Sequence, residues 1–214
     1  MRLNIYHLIG VALVAYCSTA HATTFTFNTA PFAGIDVQNI PGRQIVGGEQ
    51  FINFTPGTDL FSIDPIVFGV NDTIHFVNAP VGAIPATGVN VVVLQTLDND
   101  NNPGTPFGAS QAADLISSQI TTSGPGFFIY FNQSLNLPRL VFSTDLSSTN
   151  ADLQILARML NLTGATGQNA IPTFTAANFQ FSPSSGVPEP SSFSLMAAGV
   201  LGGISYLLRR KLRG

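Results

Sequence analysis

Residues 98 to 102 read Asp98-Asn99-Asp100-Asn101-Asn102, the densest run of oxygen ligands in the chain. The spacing D-x-D-x-N is how a calcium loop brings side-chain oxygens to one side of a turn, which makes Asp98, Asp100 and Asn102 candidate metal ligands. The pattern then breaks. Pro103 stands where loop position six takes glycine, Gly104 comes one residue late, and Ala109 fills the place of the bidentate glutamate. Asp, Asn, Pro and Gly are also the ordinary turn formers, so the same residues read as a polar turn after a strand ending at Leu97. With two carboxylates, a calcium ion here would be held only weakly, on the order of millimolar. An exposed Asn/Asp loop can also hydrogen-bond sugar hydroxyls, but the chain has no tryptophan to complete a lectin site.

Other chemistry is limited by what the chain lacks. Its only cysteine is Cys17, and its histidines are His7, His21 and His75. All but His75 fall in a segment with the three parts of a secretory signal: Arg2, the apolar Leu8 to Tyr16, and the small-x-small site Ala20-His21-Ala22. Signal peptidase is expected to cut after Ala22, giving a signal peptide of residues 1–22 and a mature chain from Thr23. An uncleaved membrane helix needs ~20 apolar residues, more than this run offers. Lipoprotein processing at Cys17 is disfavoured by Tyr16, where a small residue is wanted. The mature chain then has no thiol, so disulfides, thiol nucleophiles, Cys/His zinc sites and multi-histidine centres are excluded. A Ser-His-Asp triad would need His75, which lies in the alternating stretch Thr73 to Val77 and reads as a solvent-facing strand residue. Glu49 is the only glutamate before residue 188, so paired-carboxylate chemistry would fall to aspartates that no spacing brings together. No enzyme is expected.

The elements that would position these residues occupy residues 23–181. Short runs of Val, Ile, Thr and Phe broken by Gly, Pro and Asn predict an all-β domain. Strands are predicted at Thr24 to Asn28, Gln50 to Phe54, Ile66 to Phe68, Thr73 to Val77, Asn90 to Leu97, Gly126 to Asn132, Arg139 to Ser143, Asp152 to Leu160 and Asn178 to Phe181. In Asp152 to Leu160 the residues Leu153, Ile155, Ala157 and Met159 alternate, but Leu156 and Leu160 keep a short helix open. Ala109 to Ile120 carries apolar residues at helical spacing. The expectation is a single β-sandwich or jelly-roll-like domain with one short helix. Between residues 23 and 187 three arginines (Arg43, Arg139, Arg158) face ten carboxylates, a net charge of −7, with no lysine. Such a surface is a poor partner for nucleic acid.

A polar linker, residues 182–187, leads to a tripartite end. Pro188-Glu189-Pro190 comes first, and proline disfavours helix in the residue before it, so the motif should be an extended peptide. Ser191 to Leu208 is uncharged and would be roughly 27 Å long as a helix, matching a thin hydrocarbon core. Arg209, Arg210 and Lys211, with Arg213, then form a stop expected to stay in the cytoplasm. Motif, apolar run and basic block together resemble the PEP-CTERM sorting signal of Gram-negative bacteria, here residues 188–214 preceded by Val187. The resemblance implies a single-span sorting helix held transiently in the inner membrane, and handling by an exosortase, a membrane transpeptidase-like protease of exopolysaccharide-making bacteria. A permanent tail anchor uses the same physics without the protease. The resemblance implies an exported structural protein of the cell surface or biofilm matrix, exopolysaccharide being the partner that family habit implies. A weak calcium- or glycan-binding module displayed at the surface is the alternative, and no other cofactor is expected.

Overall fold

The computed structural model describes residues 21–34 and 43–183. Ten strands run in chain order: β1 (Thr24–Phe27), β2 (Ile45–Val46), β3 (Gln50–Ile52), β4 (Leu60–Ile63), β5 (Phe76–Ala79), β6 (Val91–Leu94), β7 (Gly126–Asn132), β8 (Leu137–Ser143), β9 (Leu153–Met159) and β10 (Phe179–Phe181). Three α-helices interrupt them: α1 (Pro65–Phe68), α2 (Ala109–Ser117) and α3 (Gly164–Ala170). Two short 3-10 turns precede β10. Among the described residues regular structure is mostly strand in sheets with few helices, and the domain is all-β in class.

The strands form two sheets. The larger has the order β2-β9-β8-β7-β6-β5, with β3 alongside β2 on the same edge of β9. The smaller has the order β1-β4-β10. One core lies between the sheets, where Phe27, Phe61, Ile63 and Phe179 meet Val91, Val93, Phe127, Ile129, Leu140 and Phe142. A second core lies on the far face of the larger sheet, where α2 sets Ala109, Ala112, Ala113 and Ile116 over Val92, Leu94, Phe128, Tyr130 and Ile155. The middle strands are thus covered on both faces. That is why Val91–Leu94 and, up to the polar Asn132, Gly126–Asn132 are apolar without alternation and buried throughout.

Several expectations need correction. A jelly roll is built of antiparallel strands, but β1 and β10 both pair with β4 in parallel, and β5, β6 and β7 are parallel neighbours. Antiparallel pairing is found at β7–β8 and β8–β9. Instead of one short helix, the described residues hold three. Ile66 to Phe68, predicted as a strand, is α1: the Asp64 carboxylate accepts from Ile66 and Val67 N–H, Pro65 opens the first turn, and Gly69 at φ 65° closes it. The strand predicted at Thr73 to Val77 starts later, at Phe76, so His75 lies just before it. The helical alternative for Asp152 to Leu160 gives way to β9. Among the described residues no helix is long and apolar enough to cross a membrane, and the span expected at residues 191–208 lies outside them.

Candidate functional site

β6 ends at Leu94 and not at Leu97 as expected, and after residues 95–97 the segment from Asp98 to Asn102 folds onto itself. The Asp98 Oδ1 accepts from Asp100 N–H at 3.2 Å, Asp100 Oδ1 from Asn102 N–H at 2.9 Å, and Asn102 Oδ1 from Gly104 N–H at 3.0 Å. Each candidate ligand oxygen therefore caps a backbone N–H two residues on, the bond by which Asp and Asn build turns. Thr105 closes the loop by donating its hydroxyl to Asp100 Oδ2 at 2.6 Å. Asn101 takes the left-handed conformation, φ 54°, which asparagine tolerates well. The Asp100 backbone N–H is the main cause that holds the Asp98 carboxyl below its ordinary pKa, because it stabilises the charged form. Among the described residues no three His, Cys, Asp or Glu side chains gather as a metal would require.

His75 is exposed at the rim of a polar cleft shared with Asn71, Gly88, Asn90, Ser123 and Gly124. Its backbone is pinned there: His75 N–H donates to Asn90 Oδ1 at 2.8 Å, and its carbonyl accepts from Asn90 and Val91 N–H. Ser123 donates its hydroxyl directly to Asp145 Oδ2 at 2.7 Å. The hydroxyl thus meets the carboxylate directly and not through the His75 imidazole. Asp145 also accepts from Gly124 and Ser147 N–H and from the Ser147 hydroxyl. Burial works against its charge, and these donors outweigh it, so its pKa lies below the ordinary value. Asp152 likewise accepts from Gln44 N–H at 2.7 Å, fixing the entry to β2.

An ionic cluster that sequence reading missed lies on the α2 side of the larger sheet. Arg139 of β8 and Arg158 of β9 are directly opposed in register, and Phe51 of β3 continues the row. Two like charges opposed across strands repel. Glu49 resolves this: its Oε1 accepts from Arg139 Nη2 at 3.0 Å and from both Nε and Nη2 of Arg158. Its side chain is only 7% exposed. Burial alone would raise its pKa, but its own backbone N–H, Arg158 and the Arg139 charge together hold it below the ordinary value. Arg139 Nε is buried without a hydrogen-bond partner. The Phe51 ring, itself exposed, lies 5.3 Å from the Arg158 guanidinium carbon, a cation–π contact at the sheet edge. The sequence offered one faint signal: the body's single glutamate and two of its three arginines had to be neutralised somewhere.

Of the processing sites predicted from sequence, Ala22 is exposed just before β1, and Ala20 lies outside the described residues. Pro188, Glu189, Pro190, Arg209, Arg210 and Lys211 lie outside them too. The family comparison bears on that end. Residues 186–211 match the PEP-CTERM protein-sorting motif. The chain thus carries a PEP-CTERM sorting motif, the mark of an exported protein handled by an exosortase, a membrane protease, and destined for the surface or the extracellular space. No curated protein and no solved structure matches the chain.

Proposed function

We propose that this chain is a structural protein of the cell surface or extracellular matrix of a Gram-negative bacterium, not an enzyme, and that it works without a cofactor. Signal peptidase removes residues 1–22 during export. The apolar run from Ser191 to Leu208 then holds an inner-membrane intermediate with Arg209, Arg210 and Lys211 in the cytoplasm. Exosortase reads Pro188-Glu189-Pro190 and releases the β body of residues 23–181 to the surface, where exopolysaccharide is its partner. The observation that carries this reading is the sorting motif at residues 186–211, directly after a body whose last strand, β10, ends at Phe181. The spent carboxylates support a structural body: Asp59, Asp98, Asp100, Asp145 and Asp152 all accept from backbone N–H groups, which shapes turns and does not arm a reaction centre.

Intact mass spectrometry of surface material tests the proposal. The recovered protein should start at Thr23 and lack Arg209 to Gly214. Glu189→Ala should leave the precursor in the inner membrane, because the protease loses the charged group of its motif. A surface protein that keeps its basic tail would instead mean a permanent anchor.

A further inference from the structure

Thr23, itself exposed, is tied to the folded body through its backbone. The Thr23 carbonyl accepts from Leu60 N–H at 2.9 Å, and Thr23 N–H donates to Asp59 Oδ1 at 2.8 Å. Asp59 is only 5% exposed. It is held from several directions: its Oδ2 accepts from Thr55 N–H at 2.7 Å, its own N–H donates to the Thr55 carbonyl at 2.9 Å, and its carbonyl accepts from Asn178 Nδ2 at 2.8 Å. The ion pairs among the described residues join Arg43 to Asp114 and Arg139 and Arg158 to Glu49, and none of the described cationic side chains pairs with Asp59. A buried carboxylate without a counter-charge is costly, so this is an unusual place to leave one.

We propose that the missing cation is the α-ammonium of Thr23, created when the signal is cut between Ala22 and Thr23. Hydrolysis breaks the peptide bond: water supplies the oxygen of the new Ala22 carboxylate, and the nitrogen gains the protons that make it an amine. A free α-amine has an ordinary pKa of about 7.7–8.0, so at neutral pH it is largely –NH3+. The nitrogen that offered Asp59 a neutral amide N–H thereby becomes a cation at the same place, and the hydrogen bond becomes charge-assisted. The ion pair ties the start of β1 to the start of β4, the two strands paired from Thr24↔Leu60. A terminus left one or two residues earlier would put its charge on His21 or Ala22, away from the nitrogen that Asp59 holds. Cleavage is then read twice, by the peptidase and by the body's own carboxylate.

This inference rests on the export reading of residues 1–22, and chemical modification of the exported protein tests it. The body has no lysine, so a chain starting at Thr23 and carrying Lys211→Arg has one amine, the α-amine of Thr23. Acetylation removes its charge and restores an amide N–H; reductive dimethylation keeps the charge and one N–H. Mass spectrometry should find Thr23 at the terminus. The acetylated protein should melt several degrees below the unmodified one, and the dimethylated protein close to it. In Asp59→Asn the two products should melt together; should that variant not fold, the contrast between the two wild-type products decides. Equal melting of those products, or a terminus other than Thr23, overturns the inference. A retained signal segment would sink the export reading itself.

Discussion

The two sheets solve the same problem with opposite economies of chain. In the larger sheet, β7 and β8 are seven-residue strands joined by a turn at residues 133–136, and β9 follows directly. In the smaller sheet, strands of three or four residues come from positions 24–27, 60–63 and 179–181, so its two outer strands are the first and last of the body. The β7–β8 pairing closes a short loop, and β2 and β3 join β9 from far along the chain only at the sheet edge, whereas both pairs of the small sheet are distant, Ile63 meeting Phe181 and Phe27. What it lacks in length it recovers in aromatic packing. Phe61, fully buried on β4, stacks on Phe54 at 4.1 Å and 6°, Phe54 stacks on Phe174, and Phe61 also meets Phe27 and Phe179. A short parallel sheet is held here by its side chains more than by its ladder.

The largest effect should come from removing the centre of that packing. Phe61→Ala deletes a fully buried ring and should cost ~3–5 kcal/mol in urea unfolding. Amide exchange on the variant should show β1 and β10 losing protection while β7 and β8 keep theirs, because local opening follows the elements with fewest neighbours. Uniform loss across both sheets would mean that they open as one unit and do not differ in local stability.

A smaller effect probes the larger sheet at its weak edge. Glu49→Gln leaves Arg139 and Arg158 opposed with no carboxylate between them. Breaking a buried pair costs ~3–5 kcal/mol, and because Arg158 is 30% exposed the expectation here is about 2–3. The same carboxylate sets an acid limb. Its folded pKa is below the unfolded value of about 4.3, so its contribution is complete above that pH and is lost as the pH falls through the folded value. Urea midpoints measured from pH 6 downward should therefore drop more steeply for the natural chain than for the variant. Parallel curves would show that Glu49 is not responsible.

The two sheets also differed in how plainly the sequence announced them. β7 was read correctly to the residue, since burial on both faces leaves an unbroken apolar run that no other element explains. β9 was legible as a strand but not in its facing. A bulge opposite Leu140/Val141 turns Ala157 and Met159 to the core between the sheets while Leu153 and Ile155 face α2, so the simple alternation was misleading. Leu60–Ile63 was missed because four residues framed by two aspartates carry almost no periodic signal. α1 was misread because Ile66, Val67 and Phe68 favour strands, and the decisive evidence was the capping set Asp64, Pro65 and Gly69 around them. Long-range polar partners were the least legible: Glu49 meets its arginines 90 and 109 positions away, and Asp59 meets Thr23 across 36. Spacing along the chain says nothing about such pairs until the sheets have closed.

The smallest expected effect concerns the Asp98–Asn102 turn, which follows β6 of the larger sheet. A calcium ion would have to draw Asp98, Asp100 and Asn102 away from the backbone N–H groups they now cap, giving up three turn bonds for an ion bound by two carboxylates. A ligand at a hundredfold excess over its Kd stabilises a fold by ~2.7 kcal/mol, several degrees in Tm for a domain of this size. No resolvable shift is expected at a few millimolar calcium. The double variant Asp98→Asn and Asp100→Asn should melt like the natural chain with or without the ion, because an amide oxygen accepts from the same N–H groups and the amide nitrogen can donate to Thr105 in place of the lost acceptor. A calcium-dependent rise in the natural chain that the variant loses would make this turn a binding site. The body would then be an ion-responsive module at the cell surface, and the larger sheet, not the smaller, would carry the chain's function.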